Sequence, residues 1–140
     1  MKKKNMVLFI DGENIPAKES QKIFTAIQGI GELDFAKVYG IQNDMGTRAW
    51  SRKATEIDGL NDIRLYGGPG KDKVDRKIQK DISRDLMRHK NIDIVVIATS
   101  DHGYSSSVRE MRAKGKKVIV IGNEKSAKSL KAACNLHIVI

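Results

Sequence analysis

Three acids stand just after short apolar runs in this chain, and their placement could do chemistry. Asp11 ends the run Met6-Val7-Leu8-Phe9-Ile10, Asp101 follows the run 92–98, and Asp75 opens the helical segment after the run 62–66. A carboxylate at the end of a buried strand must be paired, hydrogen-bonded or bound to a cation, because burying it bare is too costly. A strand-to-helix turn capped by Asp11 or Asn14 would account for the first acid alone. Three acids at matching places, with Glu13 and Asn14 beside the first, describe an oxygen-rich cluster with no cysteine nearby. Hard oxygen donors of this kind suit Mg²⁺ or Mn²⁺ rather than zinc. Such an ion can polarise a phosphate and activate water for in-line attack.

The segment "KDKVDRKIQKDISRDLMRHK" (71–90) carries the strongest pattern. At about 100° per residue, Val74, Ile78, Ile82 and Leu86 form one stripe, and Asp75, Asp81 and Asp85 fall on the same side. Arg76, Lys77, Lys80, Arg84 and Arg88 take the other side. Asp75, nearest the helix start, is the expected metal ligand. Asp81 is expected to accept a hydrogen bond behind the ligands, and Asp85 to be structural. Lys71 and Lys73 flank the proposed metal where a substrate strand must pass, with Arg76 and Lys77 beyond them. In "NDMGTRAWSRK" (43–53), Arg48, Arg52 and Lys53 surround Trp50, which suits base stacking or a buried indole with a polar handle; burial is preferred. Ser100 and Ser105 to Ser107 cap the fourth helix or hold a phosphate at its N-terminus. Ser100 is the better choice for a role beside the metal, since it precedes Asp101.

The elements that must position these residues alternate along the chain. Apolar runs at 6–10, 34–41, 62–66, 92–98, 117–121 and 136–140 are separated by helical patterns near 17–29, 47–58, 72–90, 104–114 and 126–134. This is the pattern of βαβ units and a parallel sheet, with near-continuous apolar strands covered on both faces. In such doubly wound α/β folds, ligands bind beyond the carboxyl ends of the strands. Strands one and four are expected neighbours across the switch point, which would bring Asp11 and Asp101 together. The length of 140 residues suits one domain spanning 1–140. A net charge of +9 favours a polyanionic partner, nucleic acid above all. The single cysteine, Cys134, cannot form an internal disulfide, which fits a reducing cytoplasm. The basic start "MKKKN" precedes only five apolar residues, too few for a secretory core or a membrane span. "GGPG" (67–70) is a loop that does not follow the Walker pattern.

These motifs, taken in order, resemble the NYN domains, a branch of the PIN-like metal-dependent nuclease superfamily. "FIDGENI" resembles that family's opening strand-D-x-x-N motif and "KDKVDRKIQKD" its K-x-V-D segment, mapping Lys73, Asp75 and Asp81. "ATSDHGYSSSVREMRAKGKKVIVIG" is similar to its S-G-D-S-D-F stretch with the helix and strand that follow. The resemblance implies a three-layer α/β/α sandwich with a mainly parallel sheet and a Mg²⁺- or Mn²⁺-dependent endoribonuclease hydrolysing RNA phosphodiester bonds. Asp11, Asp75 and Asp101 would hold the metal, and Asn14 would orient water or phosphate. The chain departs from the pattern at Gly103, where a second Asp is expected, at Tyr104 in place of Phe, and at Asn135 in place of a late Asp. Glu13 or His102 are the candidates to compensate for Gly103. The alternative function is a nucleic-acid-binding or adaptor module with weakened or lost catalysis. RNA is the expected partner, without strong sequence preference and with no membrane; a homodimer is left open.

Overall fold

Val, Ile and Leu dominate the short runs, and β-branched side chains fit a pleated sheet packed on both faces. The computed structural model describes residues 3–67 and 72–140. Its strands are β1 (Asn5–Asp11), β2 (Glu32–Ile41), β3 (Leu60–Leu65), β4 (Ile94–Ala98), β5 (Lys117–Gly122) and β6 (Leu136–Val139). Between them lie α1 (Ser20–Ile27), α2 (Met45–Glu56), α3 (Lys73–Arg88), α4 (Ser105–Ala113) and α5 (Lys128–Ala133). Single 3₁₀ turns, Ala17–Glu19 and His102–Tyr104, lead into α1 and α4. The sheet order is β3-β2-β1-β4-β5-β6. Every pairing is parallel, so the sheet is wholly rather than mainly parallel.

Alternation along the strands sorts the core into two layers. Val7 and Phe9 of β1 pack with Val74, Ile78 and Ile82 of α3, Val108 and Met111 of α4, and Leu130 of α5. Met6, Leu8 and Ile10 face the opposite way, toward Ile23 and Ile27 of α1 and Trp50 of α2. Each of these large side chains contributes roughly 1.5–3 kcal/mol by leaving water. Trp50 is fully buried and donates its indole N–H to the Ile15 carbonyl at 2.7 Å, so the preferred reading of that residue holds.

The helix boundaries follow local chemistry. Asp44 caps α2 by accepting from the Gly46 N–H at 3.0 Å. Gly115 takes φ +87° just after α4 and ends it, a conformation that glycine enters without steric penalty. The switch in winding direction falls between β1 and β4, which are hydrogen-bonded neighbours from Met6↔Ile94 to Ile10↔Ala98. Asp11 and Asp101 therefore leave adjacent strands at the same edge of the sheet. Among the described residues no helix is long and apolar enough to cross a membrane.

Candidate active site

Asp11 is the last residue of β1 and only 5% exposed. Its Oδ1 accepts from the Glu13 and Asn14 backbone N–H groups at 3.2 and 3.3 Å. Its carbonyl accepts from Ile15 N–H at 2.9 Å, so the chain turns sharply over the carboxylate. Gly12 makes that turn fit: its N–H donates to the Tyr39 carbonyl at 2.9 Å, and a Cβ there would stand 2.4 Å from the same oxygen. Only glycine permits so close a backbone approach.

Two contacts tie this turn to the end of β4. Asn14 Oδ1 accepts from Ser100 N–H at 2.7 Å. Thr99 Oγ1 accepts from Asp101 N–H at 3.2 Å and donates to Asp11 Oδ2 at 3.4 Å. Asp101 in turn caps the 3₁₀ turn, accepting on Oδ1 from Gly103 N–H at 3.0 Å. The turn delivers Tyr104, fully buried, whose hydroxyl donates to Asp11 Oδ2 at 3.2 Å. Asp75 arrives on the first turn of α3.

Asp11, Glu13, Asn14, Val74, Asp75 and Asp101 line one small polar hollow of about 160 Å³. A methyl group placed at Gly103 would lie 3.2 Å from Asp75 Oδ2 and 3.6 Å from Asp101 Oδ1, so both carboxylates border the space that a side chain there would enter. A larger groove, about 640 Å³ between α1 and β6, is mainly apolar and has no acid in its lining. Size and chemistry thus point to different places, and the chemistry belongs to the smaller hollow.

The electrostatics of the hollow are those of unbalanced acids. Burial pushes Asp11 above the ordinary carboxylate range, against the pull of Tyr104 and the two backbone N–H groups, and nearby Asp101 adds to the rise. Glu13, exposed at the rim, is raised by partial loss of water, then by Asp11, Asp44 and Asp75. Asp75 is raised by burial, then by Asp72, with Asp101 adding further, against the pull of the Arg76 backbone N–H and guanidinium. Among the described residues no Lys or Arg lines the hollow. Asp75 Oδ1 is buried and accepts no hydrogen bond. A divalent cation would answer all of these features, and the donor set is purely oxygen. Among the described residues no three or more acid, His or Cys side chains are gathered closely enough to hold a metal ion between them as they stand. A metal bound there would take one or two of these carboxylates and complete its shell with water, the manner of binding that Mg²⁺ accepts.

The profile of the NYN domain family matches residues 5–140. The chain belongs to the NYN domain family. The family is part of the PIN-like nuclease superfamily, whose members generally use divalent metal ions. A solved structure of a protein of unknown function from Vibrio parahaemolyticus is similar in fold, with a TM-score of 0.79 and 19% identity over 99% of this chain and 93% of that one. No curated protein gave a significant match.

Other residues of this NYN domain fall at varied distances from the hollow. Asp81 lies six residues beyond Asp75 on α3, roughly 9 Å along the axis. It accepts from the Tyr39 hydroxyl at 2.7 Å and pairs with Lys77 and Arg84 at 3.1 Å each. It therefore serves the α3–β2 contact and touches none of the hollow's acids. Asp85 makes a buried ion pair with Lys37 at 2.7 Å. Lys77 and Arg84, read as outward cations, fold back onto Asp81 because long side chains can reach around the helix. Arg76, Lys80 and Arg48 are exposed. Lys73 donates to the Tyr66 carbonyl at 3.0 Å. Lys71 and most of the "GGPG" loop lie outside the described residues. Ser100 holds Asn14 through its backbone, while its hydroxyl accepts from Asn123 N–H at 3.0 Å and from Ser126 at 2.9 Å.

Two departures from the family pattern separate cleanly. Gly103 sits at the hollow and does not have positive φ, so its backbone does not demand glycine. Asn135 instead accepts from Val118 N–H at 2.8 Å, at the start of β5 and the opposite end of the sheet. Its change from Asp leaves the hollow untouched. Thr99, Tyr104 and Tyr39 were not assigned roles from the sequence. For Tyr39 a signal existed, because Lys37 and Tyr39 alternate on one face of β2 as Asp81 and Asp85 repeat on one face of α3.

Proposed function

We propose that residues 1–140 form one NYN domain acting as a metal-dependent endoribonuclease on RNA, in the cytoplasm. The observation that carries this reading is the convergence of Asp11, Asp75 and Asp101 on one acidic hollow that no Lys or Arg lines among the described residues, with Asp75 Oδ1 buried and without a hydrogen bond among them. These three carboxylates would hold Mg²⁺ or Mn²⁺, which when bound supplies Lewis-acid polarisation of a phosphate and a more acidic water. Asn14 has its Oδ1 committed to Ser100 N–H, which leaves its Nδ2 as a donor for a phosphate oxygen. Asp11 is held in place by backbone and hydroxyl donors, and among the described residues no ammonium or guanidinium pairs with it to compete with a metal. Arg76, Lys80 and Arg48, with Lys73 near the start of α3, would draw the RNA backbone toward the hollow without reading bases. The net charge of +9 supports a polyanionic substrate.

A second reading, a binding or adaptor module with weak catalysis, is favoured by Gly103, which leaves the hollow one carboxylate short of its family's pattern. Incubating the pure protein with labelled RNA in Mn²⁺, Mg²⁺ or EDTA, beside Asp11→Asn and Asp101→Asn, separates the two. Cleavage that needs metal and both acids upholds the nuclease. Salt-sensitive binding without cleavage in any metal establishes the module.

A further inference from the structure

We infer that Tyr104, together with Thr99, is a positioning residue that fixes the Asp11 carboxylate in its metal-receiving orientation; this rests on the reading of the hollow as a metal site. Tyr104 is wholly buried and packs in the α3-side core, where a phenyl ring would fill nearly the same space. A buried hydroxyl is unfavourable unless it finds a partner. Tyr104 finds Asp11 Oδ2, at 3.2 Å. Thr99, also wholly buried, reaches the same oxygen at 3.4 Å. The other oxygen takes the Glu13 and Asn14 N–H groups at 3.2 and 3.3 Å.

The plane of this carboxylate is thus set from two sides, by the turn after β1 and by the residues after β4. All four contacts are longer than the usual 2.7–2.8 Å for O–H···O or 2.9–3.0 Å for N–H···O. They restrict rotation without saturating the oxygens. Neutral donors are suited to this task. A lysine in the place of either hydroxyl would orient Asp11 too, but would compete with a divalent cation. Thr99 has a second effect: by accepting from Asp101 N–H it links the backbone of one proposed ligand to the side chain of another. Groups that orient metal ligands in this way are typically worth about 10–100-fold in metal affinity.

The test is Mn²⁺ titration calorimetry on Tyr104→Phe, Thr99→Val and Thr99→Ser, with melting of the metal-free proteins alongside. Tyr104→Phe and Thr99→Val should each weaken Mn²⁺ binding by about tenfold or more, and Thr99→Ser, which keeps the hydroxyl, should remain close to wild type. A residue that only packs would alter melting and leave Mn²⁺ affinity unchanged. Unaltered or tighter Mn²⁺ binding by folded Tyr104→Phe overturns the assignment. If that variant does not fold, equal Mn²⁺ affinities in Thr99→Val and Thr99→Ser overturn it instead. RNA cleavage assayed in parallel keeps the two ideas distinct. A wild type whose Mn²⁺ affinity depends on these hydroxyls but which never cuts RNA retains this inference and loses the nuclease, whereas a wild type that binds no Mn²⁺ loses both.

Discussion

Replacing Asp11 by Asn distinguishes a metal ligand from a turn cap. The substitution keeps Oδ1 as the acceptor for Glu13 and Asn14 N–H, but it turns the other oxygen into a donor, so the buried Thr99 and Tyr104 hydroxyls lose their acceptor and can only accept from Nδ2 instead. It removes a charge that burial and Asp101 already disfavour. Because the folded-state pKa of Asp11 is raised above 3.8, its protonated form stabilises the fold. That stability is fully present below the unfolded value and is lost as pH rises through the folded one. At neutral pH the removed charge should therefore offset the lost acceptor, leaving metal-free Asp11→Asn within about 1 kcal/mol of wild type, and in acid it should fall below wild type.

Metal separates the two proteins. At a concentration one hundred times Kd, Mn²⁺ should add about 2.7 kcal/mol to wild type. With an unfolding entropy near 2.1 cal/mol/K per residue, a chain of this length should melt about 9 °C higher. The variant should gain little. Thermal melts in EDTA and in Mn²⁺, at neutral and acidic pH, read both effects. Equal Mn²⁺ shifts in the two proteins would refute the shared site, and a metal-free variant less stable by more than about 1 kcal/mol at neutral pH would mark Asp11 as a structural cap.

Gly103→Asp is expected to lower metal-free stability by about 1 kcal/mol, since its Cβ would stand 3.2 Å from Asp75 Oδ2, while raising Mn²⁺-dependent cleavage; melts in EDTA and a cleavage assay test both. Lys37→Met leaves the buried Asp85 carboxylate with only the more distant Arg84, at 3.8 Å, and should cost about 2 kcal/mol in urea denaturation, somewhat below a fully broken buried pair. The double variant Lys37→Met with Asp85→Leu should recover most of that loss. Arg76→Ala combined with Lys80→Ala should flatten the slope of log K against log salt for single-stranded RNA by about 1.4, roughly 0.7 per lost phosphate contact, without changing base preference.

The sheet and the gathering of acids at one edge were legible because they depend on periodicity and topology. Alternating runs imply parallel strands, and right-handed crossovers place β1 beside β4, so Asp11 and Asp101 had to leave neighbouring strands. The phase of α3 showed that Asp75, Asp81 and Asp85 face inward, but not which partner each would meet. Tyr39 and Lys37 claimed the latter two because β2 runs beneath the middle of α3, a fact of packing rather than of sequence spacing. Lys77 and Arg84 defeated a reading by helix phase for a similar reason, since four rotatable bonds let a cation follow the nearest buried charge. Thr99 carried no signal at all; its importance comes from standing between two strands' ends.

Asp11 and Tyr104 are 93 positions apart, and Asp75 enters only through the α3 crossover between β3 and β4. In the unfolded chain these carboxylates scarcely feel one another, so their repulsion is borne by the native state alone and arises when the crossover closes. Closing so long a loop is a slow step. An ion bridging these segments would act on contacts completed late, slowing escape from the native state more than it hastens arrival. In that case the dependence of lifetime on metal, rather than of folding speed, is where the hollow would govern how long the domain survives.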